Sequence, residues 1–308
     1  MNKFAYVFPG QGSQEVGMLA DVERLVADDF KAASEALGYD LWSLVQTGPA
    51  EKLGQTEFTQ PALLTASTAL FRLAREQGAP APTLVAGHSL GEYSALVAAD
   101  VLSLADAARL VQQRGQFMQT AVPLGEGGMA AVMKLDDADI ERICTEASQQ
   151  GLVQAANFNA PGQVVIAGDN KTLAAAVHAC KEAGGRVMPL AVSAPFHSQL
   201  MQPAADKMAE ALAAVTFNKP TVPVLQNVDA SLHTDPDEIK NNLVAQMHSP
   251  VLWTASVMAM AKEGIDTVIE CGPGKVLAGL IRRTDANLTS HNINDAQSLS
   301  TTVEALAA

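Results

Sequence analysis

The stretch that most constrains this chain runs Thr83-Leu84-Val85-Ala86-Gly87-His88-Ser89-Leu90-Gly91-Glu92-Tyr93-Ser94-Ala95-Leu96-Val97. An apolar run of strand character ends at Gly87, and a helical pattern starts after Ser89. Between them lies Gly87-His88-Ser89-Leu90-Gly91, a G-x-S-x-G in the strand–turn–helix setting of a nucleophile elbow. The two glycines have a steric reason. A sharp turn from strand to helix leaves little room for Cβ atoms, and it lifts the serine to the tip. There the helix N-terminus offers free N–H groups and partial positive charge to a developing oxyanion. The plainer alternative is a serine that only caps a helix.

Around this elbow, strand and helix patterns alternate. Phe4 to Phe8 reads as a buried strand running into Pro9-Gly10-Gln11-Gly12-Ser13-Gln14. That loop is no dinucleotide fingerprint, since its third glycine would fall at Glu15, and no Walker lysine is present after it. It reads instead as backbone approaching a site closely, with Gln11 as a donor. Helical patterns cover 16–37 and 41–47, and a longer one is expected from a cap at Thr59, with Pro61 in its first turn, to Gly78. Ser103-Leu104-Ala105-Asp106 has capping-box spacing and opens a helix to about Val122. On that helix Arg114 falls four residues after Leu110, on the inward side, either snorkelling to solvent or holding a buried anion.

The pattern shifts at Pro123-Leu124-Gly125-Glu126-Gly127-Gly128, a hinge-like loop. The chain beyond this hinge reads as strand 129–134, helix 137–149 after Asp136, strand 152–158, strand 163–167, helix 170–183 after Asp169, and strand 186–190. That βαββαβ order predicts a ferredoxin-like small subdomain over 125–193, inserted into a hydrolase-like large subdomain of 1–124 and 194–308. The large part continues with a strand at 222–226, a helix capped near Thr234, a strand at 267–270 and a helix from Lys275 to Arg283, then a strand near 288–293 and a last helix. The fold class expected is α/β with a mostly parallel sheet.

A serine hydroxyl needs a base to become a nucleophile. The histidines are His88, His178, His197, His233, His248 and His291. His88 adjoins Ser89 and should point away from it on an elbow. His197, in the Pro-Phe-His turn where the chain returns from the insert, is the best-placed candidate. No acid in a distinctive turn comes after it, and a backbone carbonyl can orient an imidazole equally well. Cys144, Cys180 and Cys271 lack metal-ligand spacing. The net charge of −13 argues against general nucleic-acid binding. It also requires any anionic substrate to be met by local arginine or lysine. No apolar run reaches the length of a membrane span, and no secretory signal is evident, so a cytoplasmic protein is expected.

Taken in order, Phe8-Pro9-Gly10-Gln11-Gly12-Ser13-Gln14, Gly87-His88-Ser89-Leu90-Gly91-Glu92-Tyr93, Gln113-Arg114-Gly115, Asn159-Ala160-Pro161-Gly162-Gln163 and the Phe196-His197 turn resemble the malonyl-CoA:acyl carrier protein transacylase family over the whole chain. The resemblance implies Ser89 as the acylated nucleophile and His197 as its base. Gln11 and Leu90 would give the N–H groups of the oxyanion hole, and Arg114 would hold the malonyl carboxylate. Gln246, upstream of Pro250-Val251-Leu252-Trp253, would orient His197 by its main-chain carbonyl; Leu252 departs from the polar residue common in relatives. Phe196 would favour malonyl over methylmalonyl groups.

The resemblance further implies malonyl-CoA and acyl carrier protein as partners, no metal or redox cofactor, and a monomer. Lys181, Arg186, Lys275, Arg282 and Arg283 are candidates for a positive patch facing the acidic carrier protein. A serine esterase or thioesterase on the same elbow is the rival, although its usual order is Ser, acid, then a late His. A non-catalytic carrier-binding module is the other.

Overall fold

The computed structural model describes residues 2–192 and 194–307; Ser193, the expected last residue of the insert, lies outside them, as do residues 1 and 308. Its strands are β1 (Phe4–Phe8), β2 (Leu84–Gly87), β3 (Gly127–Met133), β4 (Val153–Ala160), β5 (Gln163–Asp169), β6 (Arg186–Pro189), β7 (Val224–Leu225), β8 (Leu232–His233), β9 (Thr267–Cys271) and β10 (Thr289–Ile293).

Six of them form one sheet in the order β10-β9-β1-β2-β7-β8, parallel throughout except for the β7–β8 edge pair. Helices cover both faces, so the central strand is apolar on both sides. Along β1, Tyr6 and Phe8 enter one core cluster, whereas Ala5 and Val7 enter the other, as the two-residue period of a strand requires. Phe71 meets the Tyr6 and Phe8 rings edge-on, with centroids 5.1 and 5.8 Å apart. Phe8 is paired with Gly87, so the Pro9–Gln11 loop and the serine elbow leave neighbouring strand ends together. That C-terminal edge is where open α/β sheets place their sites.

The second sheet, β4-β5-β3-β6, is wholly antiparallel, and its element order is the expected βαββαβ. Ala130, Val132, Val164 and Ile166 face its two helices, Asp137–Ala147 and Asn170–Glu182. The alternate residues Met129, Ala131, Val165 and Ala167 join the core shared with the parallel-sheet part. Backbone bonds also link the two parts: Phe158 N–H donates to Val251 O and Val251 N–H to Ala156 O, both at 2.9 Å.

Several local expectations are corrected. The long helix is Thr56–Glu76 and starts after Gln55, not Thr59. The Thr59 hydroxyl instead donates back to Leu53 O and Gln55 O, a bond available only once the helix is under way. Pro61 therefore lies beyond the first turn. Asp235, not Thr234, caps the Pro236–His248 helix by accepting from the Asp237 and Glu238 N–H groups. The 16–37 helix is a short 3₁₀ turn, Ala20–Val22, leading into Glu23–Leu37. Asp136 stands at its helix start, but its side chain makes no cap bond there. Ser103 and Asp169 do cap as expected.

Candidate active site

The turn between β2 and the Gly91–Ala98 helix is as tight as its sequence requires. A Cβ on Gly87 would lie 1.9 Å from the Gly91 carbonyl carbon, and one on Gly91 would lie 2.0 Å from Phe8 O. Both neighbours are backbone and cannot yield. Ser89 sits at the apex with φ +53°, the left-handed region that costs a non-glycine residue about 1–3 kcal/mol unless the surroundings hold it. Asn227 does the holding: its Oδ1 accepts from Ser89 N–H at 2.7 Å, and its Nδ2 donates to Gly87 O at 2.6 Å.

Ser89 Oγ lies 2.6 Å from His197 Nε2. The other ring nitrogen, Nδ1, is 2.8 Å from the main-chain oxygen of Gln246, so it carries the hydrogen and leaves the Nε2 lone pair facing the serine. His197 is buried, with φ +59°. Burial first, and the nearby Arg114 charge second, push its pKa down to about 3, so the imidazole is neutral across the physiological range. Among the described residues no carboxylate accepts from its Nδ1.

Arg114, on the Leu104–Thr120 helix, is 1% exposed, which rules out the snorkelling alternative. Its depth comes from Gly115, where a Cβ would lie 2.7 Å from both Glu57 Cα and Thr56 O, so the two helices touch at backbone. Nη2 donates to Ser89 Oγ at 3.1 Å and to Gln246 Oε1 at 2.8 Å, and Nη1 donates to Gln60 Oε1 at 2.9 Å. Nε has no partner among the described residues. The guanidinium carbon lies 5.6 Å from the Tyr93 ring centroid. This is a buried cation with a donor turned towards Ser89 Oγ.

Gln11 reaches the same group from the first loop. Its Oε1 accepts from Gln60 Nε2, and its Nε2 donates to Thr56 Oγ1, each at 3.4 Å. Neither the Gln11 nor the Leu90 backbone N–H is taken by an acceptor among the described residues. Gln11 also lines a cleft of about 1090 Å³ with Gln14, Thr56, Gln116, Leu124 and Val192. Phe196 is packed into the larger core beside His197. The Leu252 backbone N–H donates to Asn227 O at 3.0 Å.

The structure thus brings Ser89, His197, Arg114, Gln246 and the Gln11 loop to one sheet edge. The other histidines do other things. His88 turns away from the serine, its Nε2 2.7 Å from Asn159 Oδ1, and burial lowers its pKa. His178 pairs with Glu182, and His233 with Asp229 and Glu238.

Four residues of the site carry no functional expectation from the sequence: Gln60, Glu92, Gln226 and Asn227, all fully buried. Three of them have a faint signal. Glu92 is the one charged residue in the otherwise apolar or small Gly91–Ala98 helix. Gln226-Asn227 comes directly after an apolar strand, at the edge where a parallel sheet places its ligands. Among the described residues no group of three or more His, Cys, Asp or Glu is arranged to hold a metal, and no helix is long and apolar enough to cross a membrane.

An elbow serine on a neutral histidine, in a mostly parallel sheet carrying a ferredoxin-like insert, defines a serine acyl-transfer class. The chain belongs to the acyl transferase domain family, which matches residues 5–303. It is similar to the malonyl CoA-acyl carrier protein transacylase of Escherichia coli K12, at 54% identity over 308 residues covering 99% of this chain and 100% of that one. Among solved structures it resembles the acyl-carrier-protein S-malonyltransferase of Burkholderia pseudomallei 1710b, with a TM-score of 0.96, 50% identity, and coverage of 98% and 99% of the two chains. It also resembles a malonyl-transacylase solved in complex with its type II PKS acyl-carrier protein, with a TM-score of 0.97, 49% identity, and coverage of 99% and 100%.

Proposed function

We propose that this protein moves a malonyl group from malonyl-CoA to the phosphopantetheine thiol of acyl carrier protein, through an ester on Ser89. The observation that carries this reading is the Arg114 guanidinium, buried and 3.1 Å from Ser89 Oγ. A planar fork kept from water beside the nucleophile selects an acyl group with its own carboxylate. A plain acyl group would leave the buried charge unpaired.

His197 Nε2 takes the Ser89 proton as Oγ attacks the thioester carbon. The free N–H groups of Gln11 and Leu90 receive the oxyanion. As the carbon–sulfur bond breaks, the CoA thiolate takes the proton from His197. The carrier thiol then reverses the steps: its proton passes to His197, its sulfur attacks the ester, and Ser89 Oγ leaves and recovers the proton. His197 must carry a positive charge at each tetrahedral stage, and Arg114 opposes that charge. A malonyl carboxylate on Arg114 offsets the opposition, so a diacid substrate also favours the chemical step. The chemistry needs no metal or redox cofactor.

The cleft beside Gln11 suits the pantetheine arm. Phe196 adds bulk next to the base. The 125–193 insert forms one wall of the site, and the protein works as a cytoplasmic monomer supplying fatty acid synthesis. Initial rates with malonyl-CoA and carrier protein varied together should give parallel double-reciprocal lines; intersecting lines would refute the ester route.

A further inference from the structure

We propose that Glu92 is a positioning residue for this transfer: through Gln246 its buried carboxylate holds Arg114, the arginine that receives the substrate carboxylate, in place beside the nucleophile. The inference rests on the acyl-transfer reading above. Glu92 is fully buried on the first turn of the elbow helix, where the positive end of the helix favours a carboxylate. Three donors converge on it. Gln226 Nε2 reaches Oε1 at 2.9 Å, and Asn227 N–H and Gln246 Nε2 reach Oε2 at 2.8 and 3.1 Å. No acceptor faces it among the described residues, so its partners suit the ionised form, although burial pushes its pKa up to about 7.

Two of those partners touch the reacting groups. Gln246 is a four-way junction. Its Nε2 binds Glu92 and Ser89 O at 3.1 Å, its Oε1 accepts from Arg114 Nη2 at 2.8 Å, and its main-chain oxygen holds His197 Nδ1 at 2.8 Å. An amide has a donor end and an acceptor end, and an acceptor at Glu92 tells Gln246 which way to face. With the amide reversed, an NH₂ would meet the Arg114 Nη2, donor against donor. Asn227, whose N–H is bound to Glu92, holds the Ser89 N–H and Gly87 O through its side chain. Glu92 is therefore one residue removed from the nucleophile, the base and the arginine.

Glu92→Gln tests this. It keeps the shape but removes the charge and replaces one acceptor oxygen with a donor, so the hold on Gln246 Nε2 weakens whichever way the new amide faces. Single-turnover acylation of Ser89 by malonyl-CoA and by acetyl-CoA is measured by intact mass for wild type, Glu92→Gln and Glu92→Asp. If Glu92 acts through Arg114, the malonyl rate should drop about 10- to 100-fold, the loss expected for one hydrogen bond to a charged group. The acetyl rate should fall much less, so the malonyl-to-acetyl ratio collapses, and Glu92→Asp should restore part of it. A variant in which both rates fall equally, or neither falls, overturns the inference and leaves Glu92 as packing alone. Circular dichroism reports folding; if Glu92→Gln does not fold, the ratio in Glu92→Asp decides, with an unchanged ratio counting against. A wild type that gains no malonyl group would overturn the acyl-transfer reading, and the inference with it.

Discussion

Arg114→Ala separates binding of an anionic acyl group from general acyl transfer. The side chain is 1% exposed, so any carboxylate it holds is bound away from solvent. Removing one partner of a buried, hydrogen-bonded charge pair costs about 2–5 kcal/mol. At about 1.36 kcal/mol per factor of ten, that is a loss of about 30-fold to several thousand-fold in malonyl acylation of Ser89. The substitution also strips a donor from Gln60 Oε1 and Gln246 Oε1, which should destabilise the fold by about 1–3 kcal/mol for each orphaned group. Thermal unfolding measures that part separately. The assay is single-turnover acylation with malonyl-CoA and acetyl-CoA in parallel, which differ only in the carboxylate. Malonyl acylation should collapse while acetyl acylation holds or rises, since no buried charge is left unpaired. Equal losses with the two donors would refute the reasoning.

Other expected outcomes rest on separate features. His197, held near a pKa of about 3, is below its ordinary value, so its neutral form contributes stability that is complete above about pH 6.5 and is lost as pH falls towards 3, at up to about 1.4 kcal/mol per unit. Accordingly the His197 ring signals, followed by NMR, should show no protonation between about pH 8 and about pH 5; a ring protonation step near 6.5 would contradict the burial argument. Gly91→Ala should cost about 3 kcal/mol or more, because its Cβ falls 2.0 Å from Phe8 O, and Ser89 should lose its reactivity; a normal melting curve with normal acylation would refute the elbow geometry. Arg282→Glu with Arg283→Glu, both exposed on the Val276–Thr284 helix, should raise the KM for carrier protein several-fold at low salt and leave malonyl-CoA acylation intact. An unchanged KM at low salt would remove this helix from the docking surface.

How much was legible in the sequence depended on whether the controlling contact was local. The elbow was, because Gly87 and Gly91 answer to backbone only a few residues or one strand away. The insert was too, since its βαββαβ rhythm is carried by alternation within each strand. Thr59 and Asp235 show the limit: neighbouring polar residues compete for a helix start, and the winner depends on where the previous segment leaves the chain. Glu92, Gln226 and Asn227 left only a faint trace for a stronger reason. Glu92 is more than a hundred residues from the donors it meets, and a buried glutamate reads as an error in an apolar helix until those donors are brought to it. Gln246 was singled out by resemblance for its carbonyl, but the work of its side chain emerges only when Arg114 and Glu92 stand on either side.

The most direct test isolates the enzyme after malonyl-CoA, removes free CoA, and offers the protein first buffer and then holo acyl carrier protein while intact masses are read. Wild type should carry one malonyl group, keep it in buffer, and surrender it to the carrier thiol, whereas Ser89→Ala should never gain it. A malonyl group on Ser89→Ala, or one lost to water as fast as to the carrier protein, would contradict a transferase built on Ser89.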